Sequence, residues 1–396
     1  MTSATARITS IDATRGVAVM GILLMNIAAF AGSLLAAPLM VRIGEPGPLD
    51  TPLWALSYLL VDSKMRGLFS MLFGASAALV IDAARAKGAS GGWIHSQRMV
   101  VLLLFGVAHA FLVWGGDILT LYALVGFTLP WVSRWPAPKL LKGALVLLAT
   151  SFLMTGVGSA LALAADPRTA GAIRSLADPA SATRAQELAA MLGTYADAVG
   201  WRSTMWSMPF DMLMFAGLET LGLMWLGMAL YRSGLWRGEW DPRRERWLAW
   251  RLLAFGLLGN AALLGWQIVG GLTPERLMVA STAWSLPFDV ATAAAYAIFL
   301  ARWGRGGGRL VERVAATGRA AFSNYLGTSL LMLPLMGGWG LGWFGKLTRL
   351  EATFLALALC GLMLLWSKPW FDRFAYGPFE WLLRMMARGR WVPLRR

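Results

Sequence analysis

The sequence predicts an all-α integral membrane protein: a polytopic helical bundle of about ten transmembrane helices with both termini cytoplasmic. Three observations predict it. The 396 residues are 57% hydrophobic and only 14% charged, with 21 Trp and a mean hydropathy of +0.58, which does not describe one soluble core under an ordinary wetted surface. A helix needs about 20 apolar residues to cross a hydrocarbon core of roughly 30 Å, and about ten such runs follow one another. They centre on residues 11–37, 66–84, 97–115, 117–133, 140–165, 206–231, 247–270, 284–302, 321–341 and 352–367. Finally, threading the chain through these runs puts 26 of the 36 Lys and Arg on the side of the termini. That side includes Arg7, Arg15, Arg98, the groups Arg232 to Arg251 and Arg302 to Arg319, and the basic tail. The positive-inside rule makes it the cytoplasmic one.

The runs form a single transmembrane domain over 1–396, in which 1–165 carries the candidate site and 206–396 the C-terminal helices. The first run holds Asp12 and Arg15 at its start and lacks a small-residue cleavage site, so it stays as a spanning helix rather than a signal peptide. Between the halves, 166–205 is Ala-rich and mixed in charge. It reads as an external loop of short amphipathic helices, with Ser181 or Thr183 as a cap. The segment RSGLWRGEWDPRRER, 232–246, reads as a basic cytoplasmic hairpin with Trp at the interface. WSMPFD at Trp206 and WSLPFD at Trp284 each open a helix with Pro in the first turn and Asp beside its N-terminus. Their flanks do not extend the similarity, so they read as two alike helix starts rather than a repeat of the bundle.

The net charge of +15 is accounted for by juxtamembrane Lys and Arg that hold anionic headgroups, so membrane lipids are the expected partners and nucleic acid is not. A single Cys, Cys360, in an apolar run excludes an intrachain disulfide and argues against a thiol metal site. Neither a glycine-rich nucleotide motif nor a metal-ligand cluster is present, and no metal is expected. The composition leaves a homo-dimer open.

Polar side chains inside such runs cost several kcal/mol unless they meet water or a partner, so each is a site candidate. In IDATRGVAVMGILLMNIAAF, Arg15 and Asn26 are eleven positions apart, which puts them on one helix face with Asn26 about 16 Å deeper. RMVVLLLFGVAH repeats the spacing with Arg98 and His109. Asp117 follows at the next external connection, about 12 Å from His109 if the helix were continuous. Asp62, Lys64 and Arg66 precede the Gly/Ala/Ser-lined run GLFSMLFGASAAL, whose small residues permit close helix contact. Glu219 has no basic neighbour in sequence and must find one elsewhere, sit in water or be protonated. Asp211, Asp289, Asn260, Gln267 and Asn324 complete the set. Each has a plainer reading: Arg15 and Arg98 as snorkelling residues, Asn26 and Asn324 as interhelical hydrogen-bond glue. His109 reads as functional, since an imidazole suits proton transfer near neutrality, and His95 in SGGWIHSQR as a solvated residue without a role.

RITSIDATRGVAVMGILLMN, LFSMLFGASAAL, GVAHAFLVWGGDILTLYALVGF, TGRAAFSNYLGTSLL and YGPFEWLLR, taken in that order, resemble the YeiB-like family of bacterial inner-membrane proteins. That family is similar to a wider group of transmembrane acyltransferases, among them the heparan-alpha-glucosaminide N-acetyltransferases and the bacterial membrane O-acyltransferases. The resemblance implies acyl transfer from cytoplasmic acyl-CoA to a small-molecule, lipid or glycan acceptor at the external side. Arg15 fits the first-helix Arg of the O-acyltransferases, while Asn26 stands where their catalytic His would be. An amide is no general base near neutral pH, so the resemblance leaves His109 as proton acceptor or acyl carrier, Asp117 as its orienting carboxylate and Asn26 as a donor to the oxyanion. It makes Arg15, Arg98 and Arg319 a vestibule for the CoA phosphates. Asp62, Arg66, Glu219 and Asn324 become candidates for binding the acceptor. The other reading of the same polar cavity is a transporter or flippase for an organic anion or lipid, working by alternating access without bond making.

Overall fold

The computed structural model describes residues 8–39 and 41–395; Arg7 and Arg396, counted above in the charge asymmetry, lie outside the described residues. Nineteen α-helices and no β-ladder are found among the described residues, with one isolated bridge between Phe374 and Arg395. All ten apolar runs are helical.

The first, α1 (Thr9–Ala31), is central, packed against five other helices and buried along most of its length. Two pieces, α2 (Asp50–Leu60) and α3 (Lys64–Arg85), form one candidate span interrupted at residues 61–63. At the interruption Ser63 has a φ of 61°, a value that costs a non-glycine residue energy and that the packing must hold. Next come α4 (Gly91–Ala108), which runs on through a π-helical turn (His109–Val113), then α5 (Leu119–Gly126) and the one-turn α6 (Leu129–Val132). A second π turn (Leu153–Val157) joins α7 (Ala137–Phe152) to α8 (Gly158–Ala165).

The segment expected as an external loop folds as α9 (Pro167–Ala177), α10 (Ala182–Leu192) and α11 (Tyr195–Thr204). Ser181 caps α10, as the sequence suggested, and a capping box of Thr194 and Asp197 starts α11. The second half comprises α12 (Met208–Arg232), α13 (Pro242–Val269), α14 (Pro274–Val279) with a π turn (Ala280–Trp284), α15 (Leu286–Arg305), α16 (Arg309–Arg319), α17 (Ala321–Met336), α18 (Arg349–Arg373) and α19 (Pro378–Arg388).

By length and composition, seven described helices can cross a membrane, or eight if the pair Pro274–Trp284 and Leu286–Arg305, bent by 52°, is one span. The expected ten therefore include two runs that are apolar but not straight spans. The run at 117–133 is broken between α5 and α6, and α17 has 16 residues, about 24 Å of helix. Outside the bundle the order of burial is that of a protein in lipid: Trp247, Trp250, Phe255 and Leu258 of α13 and Phe354, Leu357 and Leu365 of α18 are exposed.

Close helix approach comes from glycine, as the small-residue run predicted. A Cβ on Gly74 of α3 would lie 1.9 Å from the Met224 carbonyl oxygen, and one on Gly227 of α12 1.8 Å from that of Met71, so two reciprocal notches let these backbones touch. The cytoplasmic hairpin departs from its reading: Trp236 is buried rather than interfacial, and its carbonyl accepts a hydrogen bond from Ser10 Oγ at 2.6 Å.

Candidate functional site

Eight residues separate His109 from Asp117, and the connection between α4 and α5 turns sharply enough to bring them into contact. His109 Nδ1 lies 3.0 Å from Asp117 Oδ1, and both side chains are 2% exposed. Asp117 Oδ2 accepts the backbone N–H of Thr120 at 2.8 Å, which fixes the carboxylate at the start of α5. A carboxylate only accepts, so in the neutral ring Nδ1 carries the proton and Nε2 presents its lone pair. That Nε2 is buried and has no partner among the described residues. Tyr325 of α17 packs over the ring with centroids 5.3 Å apart, and Trp114 meets it edge-on at 6.4 Å.

The π turn is what aims this histidine. The helix ends at Val113 and leaves its last carbonyls without helical partners, and α11 collects them: Arg202 Nε donates to Phe111 O at 2.8 Å, and Tyr195 Oη and Arg202 Nη2 donate to Leu112 O at 2.8 and 3.2 Å. Neither Trp114, Tyr325 nor Arg202 was singled out in the sequence. The signal for Tyr325 was its place beside Asn324 in SNYLG, while nothing local marked Arg202.

At the other end of α1, Arg15 donates to Asp12 at 2.9 Å and to Ser76 Oγ at 2.7 Å. Arg98 is half-buried and makes no hydrogen bond or ion pair among the described residues; the charges that act on it are those of Arg384, Arg15 and Arg388. Arg384 and Arg388 belong to α19, which lies against α4. The predicted pair of arginines is thus joined by two from the C-terminal helix that sequence reasoning missed, although YGPFEWLLR was in view. Arg319 stacks on the Phe371 ring, 3.8 Å from its centroid. In the same helix as Arg384, Glu380 accepts from the backbone N–H groups of Phe322 and Ser323 at 2.8 and 3.0 Å and so caps α17. Two of the quoted motifs therefore meet in space.

Most of the remaining candidates are engaged by partners of their own. Glu219 finds its base in Arg66 at 2.7 Å, across α12 and α3. Lys64, 1% exposed, pairs with Asp289 at 2.7 Å, and Asn260 donates to the same carboxylate oxygen at 3.1 Å. Asp62 accepts from Ser57 Oγ at 2.7 Å. Asn324 donates to Thr317 O at 3.0 Å and accepts from Trp366 Nε1 at 2.8 Å, the glue reading of that residue. Asn26 is half-buried and makes no hydrogen bond among the described residues. The two alike helix starts diverge: Asp289 is buried and paired, Asp211 exposed. His95 corrects its reading outright, being buried in α4 with Nε2 3.0 Å from Gly126 O, where it tethers α4 to the end of α5.

Fold and polar interior together define a polytopic α-helical membrane protein with a buried His–Asp pair. Residues 230–390 match the profile of a family described as "Protein of unknown function (DUF418)". The chain is 32% identical over 391 residues to "Uncharacterized protein YeiB" of Escherichia coli, spanning 96% of this chain and 95% of that one. It is 27% identical over 401 residues to "Uncharacterized protein YxaH" of Bacillus subtilis, spanning 98% and 96%. No solved structure matches. The protein belongs to the YeiB-like DUF418 family.

Proposed function

We propose that the protein is an acyltransferase of the bacterial inner (plasma) membrane, with both termini cytoplasmic, moving an acyl group such as acetyl from cytoplasmic acyl-CoA to an acceptor hydroxyl or amine. The observation that carries this reading is His109, oriented by Asp117 through Nδ1 and left with a buried, unpartnered Nε2. A buried acceptor lone pair costs about 1–3 kcal/mol when unmet, which a substrate donor would relieve.

In this scheme Nε2 takes the acceptor proton as the acceptor oxygen or nitrogen attacks the thioester carbonyl. Asn26 Nδ2 donates to the oxyanion. The tetrahedral intermediate then collapses, the C–S bond breaks, and the imidazolium returns the proton to the CoA thiolate, so no net charge is left in the membrane. Arg15, Arg384 and Arg388, whose charges act together on Arg98, support a polyphosphate-binding mouth for CoA, with Arg319 beside it. Arg66, Glu219, Asp62 and Asn324 each also have a partner within the bundle.

The second reading, transport of an organic anion or lipid, is favoured by the two ion pairs inside the bundle, Lys64–Asp289 and Arg66–Glu219. Purified protein in vesicles separates the two: acyl transfer releases free CoA in step with an acylated product, whereas transport moves label across the vesicle and leaves the thioester intact.

A further inference from the structure

At the end of the bundle opposite Arg15 a narrow cleft opens between the C-terminal ends of α1 and α17, the chain at Val113–Gly115, and the helices α10 and α11 that cover it. Its walls are mainly apolar, with Phe30, Met332, Met336 and Phe344 among them. The charged residues in the wall are already engaged. Glu187 accepts from Ser33 Oγ and from Leu34 N at 3.0 Å, and Arg202 is spent on the π-turn carbonyls. One wall atom stands out: Trp114 Nε1, on a side chain 8% exposed, has no partner. The same indole stacks on Phe30 with centroids 4.0 Å apart and meets His109 edge-on. A cleft lined with aliphatic groups therefore ends at a ring that carries an unmet donor and borders the imidazole with the unmet acceptor.

We infer that this cleft binds the acceptor, and that the acceptor is an alcohol on an aliphatic chain; the inference rests on the acyl-transfer reading of His109. A glycan would bring several hydroxyl groups into mainly apolar walls that offer too few partners for them, each unmet group costing about 1–3 kcal/mol. A chain with one polar head leaves none. The head is a hydroxyl rather than an amine because the two orphan atoms demand different things of it. Trp114 N–H needs a lone pair to donate to, and His109 Nε2 needs a proton to accept. A hydroxyl oxygen has two lone pairs, so it accepts from the indole with one and attacks the thioester with the other while its proton passes to Nε2. A neutral amine has a single lone pair, and the indole hydrogen bond would occupy the electrons that must form the new bond. The O–H and C–S bonds break and the C–O and S–H bonds form, giving an ester and free CoA.

The test uses the full chain in detergent and a diazirine-bearing dodecanol as photoprobe, with labelled residues mapped by mass spectrometry. Adducts are expected on Met332, Leu333, Met336 or Phe344, displaced by dodecanol but not by glucose at equal concentration, with acetyl passing from acetyl-CoA to dodecanol and not to dodecylamine. Trp114→Phe, which keeps a ring and deletes the donor, is expected to weaken displacement by about tenfold. Adducts confined to lipid-facing residues such as Leu145, Leu153 and Phe354, or acetylation of dodecylamine as fast as that of dodecanol, would overturn the inference. Acetyl-CoA consumption measured on the same samples separates the two levels. His109-dependent consumption with an unlabelled cleft removes this inference and leaves acyl transfer standing. A labelled cleft without any consumption keeps the alcohol site and removes acyl transfer.

Discussion

Single buried side chains set the sharpest expectations. Lys64 and Asp289 are 1% and 7% exposed and joined at 2.7 Å, so removing one partner leaves a buried charge without its counter-ion. Lys64→Met alone is expected to destabilise the protein by about 3–5 kcal/mol, whereas Lys64→Met with Asp289→Leu restores most of that loss; unfolding in mixed detergent measures both. A double variant no more stable than the single would show that the pair does not act as a unit. Asp117 works differently, through geometry. Asp117→Asn replaces an acceptor by an amide that can present its N–H to Nδ1 and so flip the imidazole tautomer. Turnover of acetyl-CoA should fall by about 10²-fold or more with CoA affinity unchanged, as read by calorimetry with CoA alone. The sequence showed His109 and Asp117 as candidates but not as a contact, because helical rise kept them apart on paper and only a π turn followed by a tight connection closes the gap. His95 was misjudged for a similar reason: its polar neighbours in SGGWIHSQR suggested a loop, yet a cap at Ser90 starts α4 before it and turns the ring inward.

Whole elements meet through small residues and through the short helices between the two halves. Gly74→Val would push a side chain against the Met224 carbonyl 1.9 Å from its Cβ, and since backbone cannot yield, a loss of about 3 kcal/mol or more is expected in the same unfolding assay. Gly361, whose Cβ would meet nothing within 4 Å, should tolerate Ala within about 1 kcal/mol. The docking of α10 on the end of α1 runs through Glu187. Burial raises its carboxyl above the usual value of 4.5, against the opposing pull of the Ser33 hydroxyl, the Leu34 amide and Arg184. A raised value in the docked state means that the proton binds more tightly there. The contact therefore contributes fully below the ordinary glutamate range and is lost as pH rises through the raised value. Amide exchange in Ala182–Leu192 should accelerate, relative to its intrinsic rate, from acid toward neutral pH, and Glu187→Gln should flatten the trend. Protection that grows with pH would contradict this assignment. The helices themselves were readable, because hydropathy, capping residues and proline placement are local. Their lengths were not: α5, α6 and α17 come from apolar runs as long as the others, and only packing decides where such a run stops.

Across the whole molecule, the sequence asymmetry of charge and the burial pattern agree. Arginines gather where α4, α19 and the start of α1 meet, and the apolar cleft lies at the opposite end of α1. The vestibule was half legible: Arg15 and Arg98 follow from helical spacing, but Arg384 and Arg388 join them through a C-terminal helix that no periodicity links to α4. In the proposed reaction the donor enters from the arginine end and the acceptor from the cleft, and His109 is the side chain on which both depend. The direct measurement is acetyl-CoA consumption by the purified protein with a membrane-lipid extract as acceptor, wild type against His109→Ala, with CoA binding followed in parallel. Turnover is predicted to drop by about 10²- to 10⁴-fold while CoA affinity stays within about twofold, since the arginines are untouched. A His109→Ala protein that consumes acetyl-CoA as fast as wild type would contradict the assignment of the base, and with it the acyl-transfer function.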